Sequence, residues 1–192
     1  MLSDEIWLHS TSFFVLAHLP PAPARVIELG CGELGGHVPV LRRGGYEAVG
    51  IDPRAPDGSP YVRALFEEYG AGEQATAVVA SLSLHHVADL GVALDRVHDL
   101  LVPGGTVVIL EWAREQFDEA TARWCFDRLP GDRDNDDGAL SARRTERLQS
   151  GLPWDRFCGD WADSHGIHSA SVIRRELDAR FTMTHTSWGP YY

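Results

Sequence analysis

Basic side chains are in short supply: 17 lysines and arginines stand against 28 acids, for a formal net charge of −11. That balance excludes a broad phosphate-binding surface, so small molecules rather than nucleic acid are the expected ligands. Cysteine is scarce too. Cys31, Cys125 and Cys158 are odd in number and lack close pair spacing, which argues against a disulfide framework or a zinc site and fits reduced thiols. Long apolar runs are missing. Residues 13–17 are too few to cross a bilayer, and the first residues carry acids in place of a basic leader. The expectation is a soluble, cytoplasmic protein with no metal and no membrane partner. At 192 residues the chain suits one domain with a substantial core.

What the chain does have is Val26-Ile27-Glu28-Leu29-Gly30-Cys31-Gly32, then Gly35 and Gly36, then Gly50-Ile51-Asp52. A strand, a glycine-rich turn and a helix present themselves in this way to an adenosine-containing ligand. Gly30 and Gly32, with Cys31 between them, can adopt φ > 0 and let a ligand approach the main chain. Asp52, followed by Pro53, closes the second strand where its carboxylate can accept both ribose hydroxyl hydrogens. Gly30-x-Gly32-x-x-Gly35 also satisfies the dinucleotide pattern. Glu28 points elsewhere, because an extra carboxylate beside two phosphates would repel them. A cofactor with a cationic amino-acid end would attract it.

Strand and helix signals alternate as an α/β, doubly wound, mostly parallel sheet requires. Residues 4–18 read as a helix, with Ser3 as N-cap and Pro20-Pro21 ending it. Strands are predicted over 25–29, 46–51, 61–64, 75–81 and 106–110, with a turn at Pro103-Gly104-Gly105. A helix over 35–43 is stopped by Gly44-Gly45. Leu90, Ala93, Leu94, Val97, Leu100 and Leu101 recur at helical spacing. Beyond residue 112, helices are predicted over 116–129, 139–149, 154–165 and 169–179, with an acidic loop over 130–138 and a last strand over 181–187.

Taken in order, Glu28-Leu29-Gly30-Cys31-Gly32, Asp52, Ser81-Leu82-Ser83-Leu84-His85-His86-Val87 and Leu101-Val102-Pro103-Gly104-Gly105 resemble the class I methyltransferases that use S-adenosylmethionine. The resemblance runs roughly over residues 25–112. It implies a Rossmann-like methyltransferase domain over 1–192: a helix over the cofactor (1–24), the cofactor-binding core (25–112), a helical acceptor lid (113–180) and a last strand (181–192). It places Glu28 and the Gly30 to Gly32 turn at the methionine end, Asp52 at the ribose, and Ser81 and Leu82 beneath the sulfonium. His85 and His86 fall on a motif that closes over the methyl group in such enzymes, with His85 favoured as the base and His86 as the turn anchor. An imidazole, with an ordinary pKa of about 6.5, suits proton removal near neutral pH.

Many relatives carry an Asp after the third strand for adenine, whereas here the run is Arg63-Ala64-Leu65-Phe66-Glu67-Glu68. Phe66 then packs on adenine with Glu67 as acceptor, or Phe66 is core and Glu67 a surface charge. Glu111, Trp112 and Trp154 are the acceptor-side candidates; Trp154 shares a helical face with Phe157 and Trp161, for which ordinary core is the alternative. Asp132, Asp134 and Asp136 begin like a calcium loop, but Asp137 and Arg143 stand where glycine and glutamate are needed. Arg143, Arg144 and Arg147 read as a solvated face or as a seat for an anionic acceptor. The family normally adds one more antiparallel strand, so a homodimer covering the 181–187 edge is expected. The predicted activity is methyl transfer to a small-molecule acceptor. A non-methylating S-adenosylmethionine-binding protein or partner subunit, and a nicotinamide-dependent oxidoreductase, are the alternatives.

Overall fold

The computed structural model describes residues 3–69, 74–129 and 139–189. Asp132, Asp134, Asp136 and Asp137, and the capping side chain of Ser3, lie outside the described residues. The chain forms two compact units, residues 1–112 with 171–192 and residues 113–170.

In the first unit five strands, β1 (Arg25–Leu29), β2 (Glu47–Ile51), β3 (Tyr61–Val62), β4 (Ala75–Ser81) and β5 (Leu101–Leu110), pair in the order β3-β2-β1-β4-β5. Every pairing is parallel. The apolar runs have no polar alternation because both faces of the sheet are covered. Val78 and Ala80 join Ile27 and Leu29 on the face packed by helices α3 (Leu90–Leu100) and α7 (Ala170–Asp178). Val26, Ala77 and Val79 face the opposite way, toward Val15 of helix α1 (Ser3–His18) and Val38 and Leu41 of α2 (Val38–Arg43). α3 starts where Asp89 caps it, accepting a hydrogen bond from Val92 N–H at 3.0 Å.

Parallel register brings the carboxyl ends of the strands to one edge: Leu29 lies opposite Ile51 and Ala80, and Ser81 opposite Leu110. The turns carrying Glu28 to Gly32, Asp52, Ser81 to His86 and Glu111 therefore share that edge, where open α/β sheets bind their ligands.

Several predicted elements come out differently, among them β5, which starts at Leu101 rather than at residue 106. The helix over 35–43 begins only at Val38, because Gly35 and Gly36 hold φ of +78° and +56°, outside the helical region. The strand over 61–64 shortens to Tyr61–Val62. No strand forms among the described residues of 181–187. Its side chains are held elsewhere: the His185 ring lies 4.6 Å from that of His18 and 5.9 Å from that of Phe14, and Thr186 Oγ1 accepts from Arg174 at 3.3 Å. Among the described residues the sheet ends at β3 on one side and at β5 on the other, which removes the basis on which a dimer across 181–187 was expected.

The second unit contains α4 (Glu119–Phe126), shorter than the predicted 116–129, with α5 (Ala139–Ser150) and α6 (Trp154–Ser164). Its core is Ala122, Trp154 and Phe157, with Phe117, Phe126 and Leu152 packed around them. No helix among the described residues is long and apolar enough to cross a membrane.

Candidate active site

β1 ends in a carboxylate with little freedom. The Glu28 side chain is 1% exposed. Its Oε1 accepts from the backbone N–H of His37 and from His37 Nδ1, both at 3.0 Å, while Oε2 is buried with no protein hydrogen-bond partner among the described residues. A Cβ at Gly36 would overlap this carboxylate, so glycine there is the cradle in which Glu28 lies. At Gly30 (φ +70°) a Cβ would strike Ser83, whose hydroxyl donates to Leu29 O at 2.9 Å and locks the β1 and β4 turns together. Gly32 (φ +63°) has nothing within 4 Å where its Cβ would stand, leaving open space at the turn.

Asp52 is pinned to that turn. Its Oδ2 accepts from Gly32 N–H at 3.1 Å and its Oδ1 from Arg54 N–H at 2.7 Å. Each oxygen keeps lone pairs for further donors. Pro53 is exposed beside it. The local field is negative. Burial, then the Glu28 and Asp52 charges, push the Cys31 thiol up to about 12, and Tyr61 is raised by burial with Cys31 and Glu28 contributing. Such a field favours a cationic ligand and opposes a diphosphate.

The turn after β4 is built around Glu111. Leu82 N–H closes the last ladder bond to Leu110 O at 2.8 Å, after which Ser83 N–H and Leu84 N–H both donate to Glu111 Oε1, at 3.0 and 2.7 Å. The reversal this demands places Leu82 at φ +52°, a left-handed conformation costly for a non-glycine residue. Oε2 of Glu111 lies 2.6 Å from His85 Nδ1 and accepts from Trp112 N–H at 3.3 Å. Both oxygens are thus engaged, and Glu111 anchors this turn. His85 is buried, and its Nε2 has no protein partner among the described residues. The exposed His86 ring lies 4.1 Å away, and burial, His85 and Arg54 lower its pKa against an opposing pull from Glu111. Ser81 Oγ accepts from Trp7 Nε1 at 2.9 Å.

Phe66 lies in the core with Ile51, Leu84 and Leu90, so its ring packs against protein, and Glu67 is half-buried beside it. Trp154 is 3% exposed and donates from Nε1 to Phe117 O at 2.7 Å, which leaves no open indole face to serve an acceptor. Trp161 instead stacks on His165 at 4.4 Å and carries the Arg143 guanidinium 3.7 Å above its ring. Arg144 and Arg147 turn to Phe126 O and Glu119. Among the described residues, no group of three or more His, Cys, Asp or Glu side chains is arranged to hold a metal ion.

Sequence reasoning missed His37, Thr11 and Trp7. His37 Nε2 lies 3.0 Å from Thr11 Oγ1, and Trp7 and Thr11 stand one helical turn apart on α1. The one available signal was that i, i+4 pair.

The methyltransferase domain family model matches residues 4–168. A ubiquinone biosynthesis O-methyltransferase from Azorhizobium caulinodans is 25% identical over 169 residues, covering 71% of this chain and 65% of that protein. The chain therefore spans just under two thirds of that relative's length. Among solved structures, a methyltransferase from an antibiotic biosynthesis pathway of Anabaena variabilis has the same fold at a TM-score of 0.50, with 17% identity, covering 64% of this chain and 56% of that one. An S-adenosylmethionine dependent methyltransferase from Mesorhizobium loti is 27% identical with a TM-score of 0.45, covering 53% of this chain and 54% of that one. With the glycine turn, Asp52 and the His85 turn gathered at one edge of a parallel sheet, and a family match running over most of its length, this chain belongs to the methyltransferase domain family.

Proposed function

We propose that this protein transfers a methyl group from S-adenosylmethionine to a hydroxyl of a small-molecule acceptor, with His85 as general base. The observation that carries this reading is the 2.6 Å contact between His85 Nδ1 and Glu111, with the opposite ring nitrogen left without a protein partner. A carboxylate at Nδ1 holds the proton there and leaves Nε2 as the acceptor, so His85 can take a proton at that atom. Glu111 is a positioning residue in this scheme. The buried, unpartnered Oε2 of Glu28 fits the cofactor's ammonium group, and the Asp52 carboxylate fits its ribose hydroxyls. When bound, the cofactor supplies an electrophilic methyl on a good thioether leaving group, so alignment, desolvation and proton removal are what remain for the protein.

Oxygen as the methylated atom has the support of the Azorhizobium relative, an O-methyltransferase by name. A reduced, cytoplasmic setting has the support of three free cysteines. The acidic balance supports a small acceptor rather than nucleic acid. A homodimer would pair through the β5 edge, beside which no further strand lies among the described residues.

The test is thermal unfolding with S-adenosylhomocysteine and with NADH, followed by transfer of labelled methyl to a panel of phenols and alcohols. A melting rise with S-adenosylhomocysteine alone, and label on an oxygen, is the expected result. A rise with NADH would restore the oxidoreductase alternative. Binding of S-adenosylhomocysteine without turnover on any acceptor would favour a non-methylating protein.

A further inference from the structure

His37 touches no open space, yet the Glu28 carboxylate rests on it. Its side chain is fully buried, and it gives Glu28 Oε1 two donors, one from the backbone and one from the ring. That arrangement occupies one oxygen of Glu28 and leaves Oε2 buried and bare. A bare buried carboxylate oxygen is unfavourable until a donor arrives. An anionic ligand end would be repelled by it, whereas an ammonium brings both a donor and the opposite charge.

The other side of the ring faces α1. Nε2 lies 3.0 Å from Thr11 Oγ1, which is itself 2.7 Å from Trp7 O. The Trp7 indole N–H in turn donates to Ser81 Oγ. Side chains thus tie α1 to β1 through Thr11, His37 and Glu28, and to β4 through Trp7 and Ser81. These are the two strand ends on either side of the Gly30 and Ser83 contact.

Resting on the cofactor reading above, we propose that His37 is a positioning residue for recognition of the cofactor's ammonium group. It holds Glu28 with Oε2 turned to the ligand, and through Thr11 it couples the seating of α1 to that carboxylate. Residues that hold a metal's ligands in place matter about 10- to 100-fold in affinity, and His37 holds Glu28 in the same way.

The test is calorimetry with S-adenosylhomocysteine and with methylthioadenosine, which keeps the adenosine and lacks the amino-acid end. Wild-type protein should bind S-adenosylhomocysteine the more tightly. His37→Phe, which fills the space and removes the ring donor while keeping the backbone one, should lose about 10- to 100-fold on S-adenosylhomocysteine and little on methylthioadenosine. His37→Asn, whose amide can replace the Nδ1 donor, should recover most of that loss. Equal losses on both ligands, or no recovery with asparagine, would overturn the proposal. If His37→Phe does not fold, Thr11→Val carries the test, because it leaves the partners of Glu28 intact. Amide exchange along α1 should slow when S-adenosylhomocysteine is added to the wild type, and this slowing should be lost in Thr11→Val. Identical slowing in both proteins would overturn the coupling. Wild-type protein that binds both ligands equally would overturn this inference alone, whereas wild-type protein that binds neither would overturn the cofactor reading and this inference with it.

Discussion

Two carboxylate and imidazole pairs stand at the same edge of the sheet, with opposite polarity. At the end of β1, Glu28 and His37 are 3.0 Å apart; the carboxylate keeps a bare oxygen while the imidazole is sealed behind it. At the ends of β4 and β5, Glu111 and His85 are 2.6 Å apart; there the carboxylate is fully occupied and the imidazole keeps the bare atom. The same two functional groups therefore do different work according to which one the backbone saturates. At β1 the His37 main chain and ring fill one oxygen only. At β4 a turn aims two N–H groups and a ring at Glu111, and nothing remains on the carboxylate for a ligand. A negative group offered to the site suits a cationic cofactor, and a proton acceptor offered to it suits a hydroxyl.

The largest expected effect comes from breaking the second pair. His85→Gln should lower methyl transfer to a hydroxyl acceptor by about 10²- to 10⁴-fold with little change in S-adenosylhomocysteine affinity. Glu111→Gln should approach the same loss without touching the acceptor. Its amide N–H would donate to Nδ1, moving the ring proton to Nε2 and removing the base. Steady-state rates beside calorimetric affinities check both. A Glu111→Gln enzyme with a wild-type rate would show that His85 does not need its partner.

Breaking the first pair should act on binding. Glu28→Gln, and independently Asp52→Ala, should each weaken S-adenosylhomocysteine by about 1.5–3 kcal/mol, the range for hydrogen bonds to a charged group. Only the Glu28 change should spare methylthioadenosine, since only Glu28 serves the amino-acid end. Gly36→Ala sharpens the point from the other side. The added Cβ would collide with the Glu28 carboxylate at a backbone angle of φ +56° that alanine disfavours, costing about 1–3 kcal/mol of stability. Urea unfolding measures that cost, and retained S-adenosylhomocysteine affinity in this variant would mean that the carboxylate need not lie where it does.

Much of the edge was legible in the sequence because local patterns wrote it. β4 over Ala75–Ser81 and α6 from Trp154 follow directly from an unbroken apolar run and from helical spacing. Glu28, Gly30, Gly32 and Asp52 stand in a fixed order along the chain, so their turn could be read before it was seen. The pairing of each carboxylate could not. Glu111 is 26 residues from His85, and which of its atoms are saturated depends on the angle of a turn closed by Leu82 in a left-handed conformation. His37 lies nine residues from Glu28 and reads as an ordinary start to a helix. The strand expected over 181–187 failed for the same reason: Phe181, Met183 and His185 alternate as a strand would, but a strand also needs a neighbour, and His185 packs on His18 and Phe14 instead.

The smallest expected effect concerns the histidine that neither pair uses. His86 lies beside His85, and its pKa is lowered from 6.5 by burial, by His85 and by Arg54, with Glu111 only partly opposing. A histidine depressed in the folded state takes up its proton first in the unfolded chain, so it withdraws stability as pH falls below about 6.5, down to the folded pKa. His86→Gln should therefore lose less stability than the wild type between pH 8 and pH 5, and the two should converge above pH 7.5. Urea midpoints at four pH values across that range measure the difference. Parallel curves would mean that His86 titrates alike in both states. In that case the field of His85 and Arg54 would not reach the exposed ring, and the charge balance at this edge would belong to the two carboxylate pairs alone.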